Sequence, residues 1–152
     1  MYRKRGTGGN QWELVIPFYF ALKWGKMNRA SERTKENLRF VDYRLNMLVG
    51  YALAISKVDF FVNEGVRTQE KQQEYYRLGT TKIDGVRNRS QHQLGKAIDI
   101  YYVGWKKGAE DERKWKELID TFRLAGMKLG IKLNFGYDWG WDKPHIELDE
   151  EE

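Results

Sequence analysis

The chain has 152 residues, no cysteine and a formal net charge of +5, with a pI near 9.3. That length suits one domain with a core of its own, and the missing cysteines exclude a disulfide scaffold, a thiolate metal site and a cysteine nucleophile. The basic balance favours anionic partners, such as an acidic cell-wall polymer or anionic lipid. Nucleic acid is disfavoured, because beyond Arg3-Lys4-Arg5 no dense basic run interleaved with aromatics occurs.

Residues 1–30 read as an N-terminal extension. Gly6, Gly8 and Gly9 loosen its start, and Pro17 interrupts the apolar stretch Leu14 to Leu22. Nine residues fall far short of the roughly 20 that span a bilayer, so no stable membrane span is expected. Lys23-Trp24-Gly25-Lys26 makes a poor signal-peptide cleavage site. The extension is expected to pack against the domain or a partner.

The main domain is expected from about Ser31. Leu38, Val41, Leu45, Leu48, Ala52 and Ile55 recur at spacings of three and four, predicting one long helix from Thr34 to about Ile55 with Ser31 or Thr34 as its cap. A short strand, Val58–Val62, leads through the turn Gly65-Val66-Arg67-Thr68 into a second helix. Thr68 is its expected N-cap and Gly79 its stop. Residues 79–91 read as a loop. Lys96–Val103 reads as a strand with Ile98, Ile100 and Tyr102 on one face and Ala97, Asp99, Tyr101 and Val103 on the other. A third helix follows over Asp111–Leu129, ended by Gly130, and then a short strand near Ile131–Phe135. An aromatic loop, Tyr137–Trp141, precedes a last strand around Pro144–Leu148, and the acidic tail 149–152 is expected to fray. The order predicts an α+β fold, a small sheet packed against helices with candidate ligands at strand ends and on loops.

Two segments carry the chemistry. The chain has only two histidines, His92 and His145, 53 residues apart, and each has an aspartate near it: Asp99 seven residues after the first, Asp142 three before the second. Two imidazoles and one carboxylate can hold a catalytic zinc with a fourth position for water, leaving the other carboxylate as that water's base. Spacing alone sets this metal site against two ordinary histidines on about equal terms. Asp138 competes with Asp142 for the base role. Asp142 is preferred, because three residues and Pro144 tie it closely to His145. Arg67, at the mouth of a helix, could hold a substrate carboxylate or stabilise an oxyanion, or could simply be a solvated arginine. Ser90 could orient a ligand or cap a turn. It lacks the nucleophile-elbow context of a catalytic serine. Trp139 and Trp141 flank the second segment, and one of them is expected in the core and the other in the cleft.

At these residues the chain resembles the zinc peptidases of the D-alanyl-D-alanine carboxypeptidase and L-alanyl-D-glutamate endopeptidase family, which share the Hedgehog/DD-peptidase fold, and within it the phage endolysin branch. Ser90 to Asp99 matches its S-x-H-x-x-G-x-A-x-D segment, Asp142 to His145 its D/E-x-x-H segment, and Gly65 to Thr68 its G-x-R-[ST] turn. The resemblance spans about residues 31 to 148. It implies zinc held by His92, Asp99 and His145, Asp142 as base and then acid, and Arg67 in the active site. Ser90, Trp141 and Asp138 are the residues expected beside the substrate. It also implies peptide stems of peptidoglycan as substrate and an L-alanyl-D-glutamate endopeptidase that waits in the host cytoplasm until lysis and then acts on the periplasmic cell wall. A monomer is expected. A D-alanyl-D-alanine carboxypeptidase, or a phage structural component carrying the domain, is the alternative.

Overall fold

The computed structural model describes residues 28–150, so the extension's apolar stretch lies outside the described residues. Chain order is α1 (Glu32–Asn37), α2 (Tyr43–Ile55), β1 (Phe60–Glu64), α3 (Gln69–Arg77), β2 (Ala97–Tyr102), α4 (Glu112–Leu129), β3 (Leu133–Phe135), α5 (Gly136–Trp139) and β4 (His145–Leu148). The strands form one sheet in the order β1-β2-β4-β3, every neighbouring pair antiparallel. The α+β expectation therefore holds.

Most element ends follow the local chemistry of the sequence. The side chains of Ser31, Thr68 and Asp111 accept backbone N–H groups at the starts of α1, α3 and α4, and Gly130 closes α4 in the left-handed region at φ 68°. The expected long first helix is instead two helices. Leu38 caps α1, Phe40 turns at φ 65°, and Asp42 starts α2 by accepting the Arg44 N–H on its side chain. The Asp42 N–H donates to Gly95 O at 2.8 Å, and Asn37 Nδ2 donates to the carbonyls of Val62 and Asn63, both at 2.9 Å. Bonds to β1 and to the His92 loop thus replace the helical bonds that a continuous helix would make. The apolar spacing runs on across the break because both helices face the same core.

That core lies between one sheet face and the helices. Ile98, Ile100, Tyr102, Ile146 and Leu148 meet Leu45, Leu48 and Ala52 of α2 and Leu118, Ile119 and Phe122 of α4, all buried. This apolar face sets the strand register. A one-residue slip of β4 would move Ile146 and Leu148 off the core, at roughly 3–6 kcal/mol for two large apolar side chains. That is a large share of the ~5–15 kcal/mol net stability of a domain. The register so enforced pairs Asp99 with His145 and Ala97 with Glu147, placing polar side chains together on the opposite face.

A bulge in β1 adds a third polar group. Val62 pairs with Ile100, yet Glu64 pairs with Asp99, a shift of one residue. The extra residue turns Glu64 toward the polar face. The first two residues of the tail are held, against expectation, while 151–152 lie outside the described residues: the Asp149 N–H donates to Lys132 O at 3.0 Å, and the Glu150 carboxylate pairs with Arg44 at 2.7 Å and with Lys96. Basic side chains on α2 and at the start of β2 anchor what composition alone reads as a frayed end.

Candidate metal centre and active site

His92 comes from the turn 90–95, and its ring orientation is fixed from behind. Its Nδ1–H donates to Gly65 O at 2.8 Å; a carbonyl can only accept, so the Nε2 lone pair faces forward. Gly65 is required for this approach, since a Cβ there would lie 1.9 Å from Asn37 O at the end of α1. His145, the first residue of β4, is held in the complementary way. Its Nε2–H donates to Glu147 Oε2 at 2.9 Å, leaving the Nδ1 lone pair facing forward. On a strand, Glu147 lies two residues on and so on the same face as His145.

The two forward nitrogens meet one Asp99 oxygen. His92 Nε2 is 3.2 Å from His145 Nδ1 and 3.2 Å from Asp99 Oδ1, and His145 Nδ1 is 3.3 Å from the same oxygen. Three lone-pair atoms in a near-equilateral triangle need a cation or a proton between them. Bonds of ~2.0–2.1 Å in a tetrahedral site imply ligand–ligand edges of about 3.3–3.4 Å, so the triangle fits a small divalent ion. Both imidazoles are buried, and no other group of three His, Cys, Asp or Glu side chains among the described residues converges in this way. Without metal, burial disfavours a charged His145, but the hydrogen bonds to Asp99 and Glu147 outweigh it and raise its pKa to about 9. Asp99 is displaced the other way: burial opposes its charge, yet the two imidazoles hold it well below the usual carboxylate range.

Asp142 sits beside this triangle. Burial and the Asp99 charge push its carboxyl up, against the pull of His145, His92 and Arg67. Its carbonyl accepts the His145 N–H at 3.2 Å, and α5 packs so closely there that a Cβ on Gly136 would lie 2.1 Å from Asp142 O. Asp138 is exposed and paired with Arg123 at 2.6 Å, a surface contact that leaves Asp142 the better placed of the two.

Arg67 is not a solvated arginine. Its Nε and Nη2 grip the Glu64 carboxylate at 2.9 and 2.7 Å, Nη1 donates to Gln72 Oε1 at 2.9 Å, and the guanidinium lies 4.8 Å over the Tyr75 ring. Its backbone N–H also donates to His92 O at 3.1 Å. Buried Ser90 donates to Gln72 Oε1 at 2.8 Å and caps the Gln93 N–H, so it reaches Arg67 through Gln72. Neither tryptophan of the second segment is core, contrary to expectation. Trp139 is 41% and Trp141 76% exposed, and they stack on each other at 5.4 Å, with Trp139 also 5.4 Å from the His145 ring. A single-turn helix ending at Gly140 leaves both rings outside the sheet–helix interface.

The sequence reading assigned no role to Glu147, Glu64 or Gln72. Glu147 was discoverable from the alternation of β4, which puts it on the face of His145. Glu64 was not, because its facing depends on the bulge, and Gln72 stands on an otherwise polar helix.

Comparison with known proteins agrees with this geometry. Residues 26–151 match the family model described as phage L-alanyl-D-glutamate peptidase. The chain belongs to that family. It is 31% identical to the L-alanyl-D-glutamate peptidase of Escherichia phage T5 over 142 residues, covering 84% of this chain and 98% of that protein. Its fold matches the crystal structure of the Serratia marcescens L-Ala D-Glu endopeptidase ChiX with a TM-score of 0.70 at 29% identity, covering 84% of this chain and 95% of the other. The expectations of a peptidase and of a peptidoglycan-directed enzyme are met by this membership.

Proposed function

We propose that the protein is a zinc-dependent endopeptidase that hydrolyses the L-alanyl-D-glutamate bond in peptidoglycan stem peptides. The observation that carries this reading is the triangle of His92 Nε2, Asp99 Oδ1 and His145 Nδ1, each atom turned forward by a partner or by strand register. Two imidazole nitrogens and a carboxylate oxygen suit zinc, and the family descriptions name the bond. When bound, zinc supplies Lewis-acid chemistry, activating water near neutral pH and polarising a carbonyl.

The chain's own residues do the rest. Asp142, with its carboxyl pushed up by burial, takes a proton from the attacking water and returns it to the leaving amine. Arg67 commits three N–H donors to Glu64 and Gln72, leaving two of a guanidinium's five for a substrate oxygen. Glu64, Gln72 and Ser90 position Arg67. Trp141 offers an exposed wall to the substrate, and Asp138 lies at the rim of the same loop. No helix among the described residues is long and apolar enough to cross a membrane. The family reading has the protein held in the host cytoplasm and reaching the wall at lysis.

Two measurements test this. Muropeptide analysis after digestion should show cleavage after L-Ala, whereas loss of a terminal D-Ala alone would identify a carboxypeptidase. Asp142→Ala should keep its zinc yet lose at least about 10²-fold in rate, and a normal rate would remove Asp142 as the base.

A further inference from the structure

The metal centre is flanked by charge of opposite sign. The triangle spans β2, which carries Asp99, and β4, which carries His145; Glu64 on β1 lies to one side and the segment leading into β4 to the other. On the β1 side the Glu64 carboxylate is shared by two cations, Arg67 Nη2 at 2.7 Å and Lys71 Nζ at 3.1 Å. One carboxylate between a guanidinium and an ammonium leaves a positive surplus. On the β4 side Lys143, two residues before His145, is shared by two carboxylates, Glu110 at 3.3 Å and Glu112. The surplus there is negative.

The two cations on the β1 side differ in what they can reach. The Arg67 and Glu64 side chains are each 10% exposed, and three of the guanidinium's donors are already committed. Lys71 stands in the first turn of α3 with its side chain 47% exposed, and Glu64 is its one ion-pair partner among the described residues. Its ammonium lies 5.5 Å from the centre of the Tyr75 ring, one turn along the helix. Glu64 pairs across the strands with Asp99, and such partners have Cα atoms ~4.5–5.5 Å apart. A lysine's long flexible stem therefore brings a charge on the residue next to the scissile bond within its reach.

The bond named for the family supplies that charge. In an L-alanyl-D-glutamate bond the glutamate amine is acylated, so both glutamate carboxyls lie beyond the scissile nitrogen. A linear stem continues through one of them, and the other is an anion at neutral pH. The β1 side attracts that anion and the β4 side repels it. We propose that Lys71 is the specificity-determining contact for this free carboxylate, setting the D-glutamate side of the substrate over β1 and α3 and the L-alanine side toward Trp139 and Trp141. Arg67 keeps its spare donors for the reacting oxygen. The identity of the carboxylate rests on the function proposed above, whereas the charge preference of the site is measured by binding alone.

The test uses the full-length, zinc-loaded protein and analogues of N-acetyl-L-alanyl-D-glutamate in which a CO–CH₂ unit replaces the scissile amide, so that none is hydrolysed. One analogue has its γ-carboxyl blocked as the methylamide, one its α-carboxyl, and one both. By calorimetry, one mono-acid should bind about three- to tenfold tighter than the neutral diamide, and the tighter one identifies the free carboxylate. Lys71→Met should lower that mono-acid to the affinity of the diamide and leave the diamide unchanged, while Lys71→Arg should keep the preference. Equal affinities in the unaltered protein overturn the proposal. So does an acid preference that survives Lys71→Met, or a loss there that is the same for acid and diamide. On peptidoglycan, Lys71→Met should raise KM with kcat unchanged, and a fall in kcat at constant KM counts against a binding contact. A Lys71-dependent acid preference in a protein that hydrolyses no peptidoglycan would keep the contact and refute the peptidase reading. An active peptidase without that preference would do the reverse.

Discussion

Glu147 offers the sharpest test of how the metal centre is built. Its carboxylate accepts the His145 Nε2–H at 2.9 Å, and this bond points Nδ1 at Asp99 and His92. Removing such an outer partner typically weakens metal binding 10–100-fold, or about 1.4–2.7 kcal/mol. The structure adds a pH dependence. In the metal-free protein His145 has a pKa of about 9, burial opposing its charge while Asp99 and Glu147 support it. At pH 7 zinc must therefore displace a proton that the metal-free site holds well above neutrality. Glu147→Leu removes part of that competition together with the orienting bond, so its cost is partly hidden at pH 7 and fully visible above pH 9. Competition with a chelator of known affinity, at pH 7.0 and 9.5, should show a loss that grows with pH. Glu147→Gln keeps an acceptor and should lose less. Zinc affinity unchanged within twofold at both pH values would refute the claim that Glu147 orients His145.

Three further outcomes are expected. Gly65→Ala puts a Cβ 1.9 Å from Asn37 O and displaces the carbonyl that holds His92. Overpacking of this kind costs ~2–3 kcal/mol, so thermal melting should fall by roughly 5–10 °C, with zinc affinity falling too. Stripping the metal should abolish hydrolysis and lower the melting temperature. A ligand at 100 times its Kd contributes about 2.7 kcal/mol, or ~5–10 °C here, and a chelated protein that melts unchanged would count against a metal centre in the fold. Asp42 caps α2 and has its pKa lowered, the Arg44 bond outweighing burial. Its contribution is thus present above pH ~4 and lost as pH falls further. Asp42→Ala should cost ~1 kcal/mol near neutrality and little in acid, read from urea melts at both pH values.

Local rules carried far in this chain. Caps at Ser31 and Thr68, the stop at Gly130 and the alternation of β2 are matters of a few neighbouring residues, and the structure shows each as read. The break between α1 and α2 was hidden, because apolar spacing reports which face is buried and says nothing of bonds from Asp42 to Gly95 or from Asn37 to β1. The tryptophans were misjudged for a similar reason: aromatic bulk suggests core, but whether a ring finds cover depends on what packs over it.

The sequence by itself determined which groups could do chemistry here: two histidines, their aspartates and one arginine in a turn. It did so because donor type and short spacing are local properties. Only the tertiary structure decided that His92 and His145, 53 residues apart, face one Asp99 oxygen. That convergence rests on strand register, which the buried apolar face of the sheet sets from the other side. The lone pairs point forward for the same kind of reason, since Gly65 O and Glu147 reach the two rings from behind only once the strands have paired.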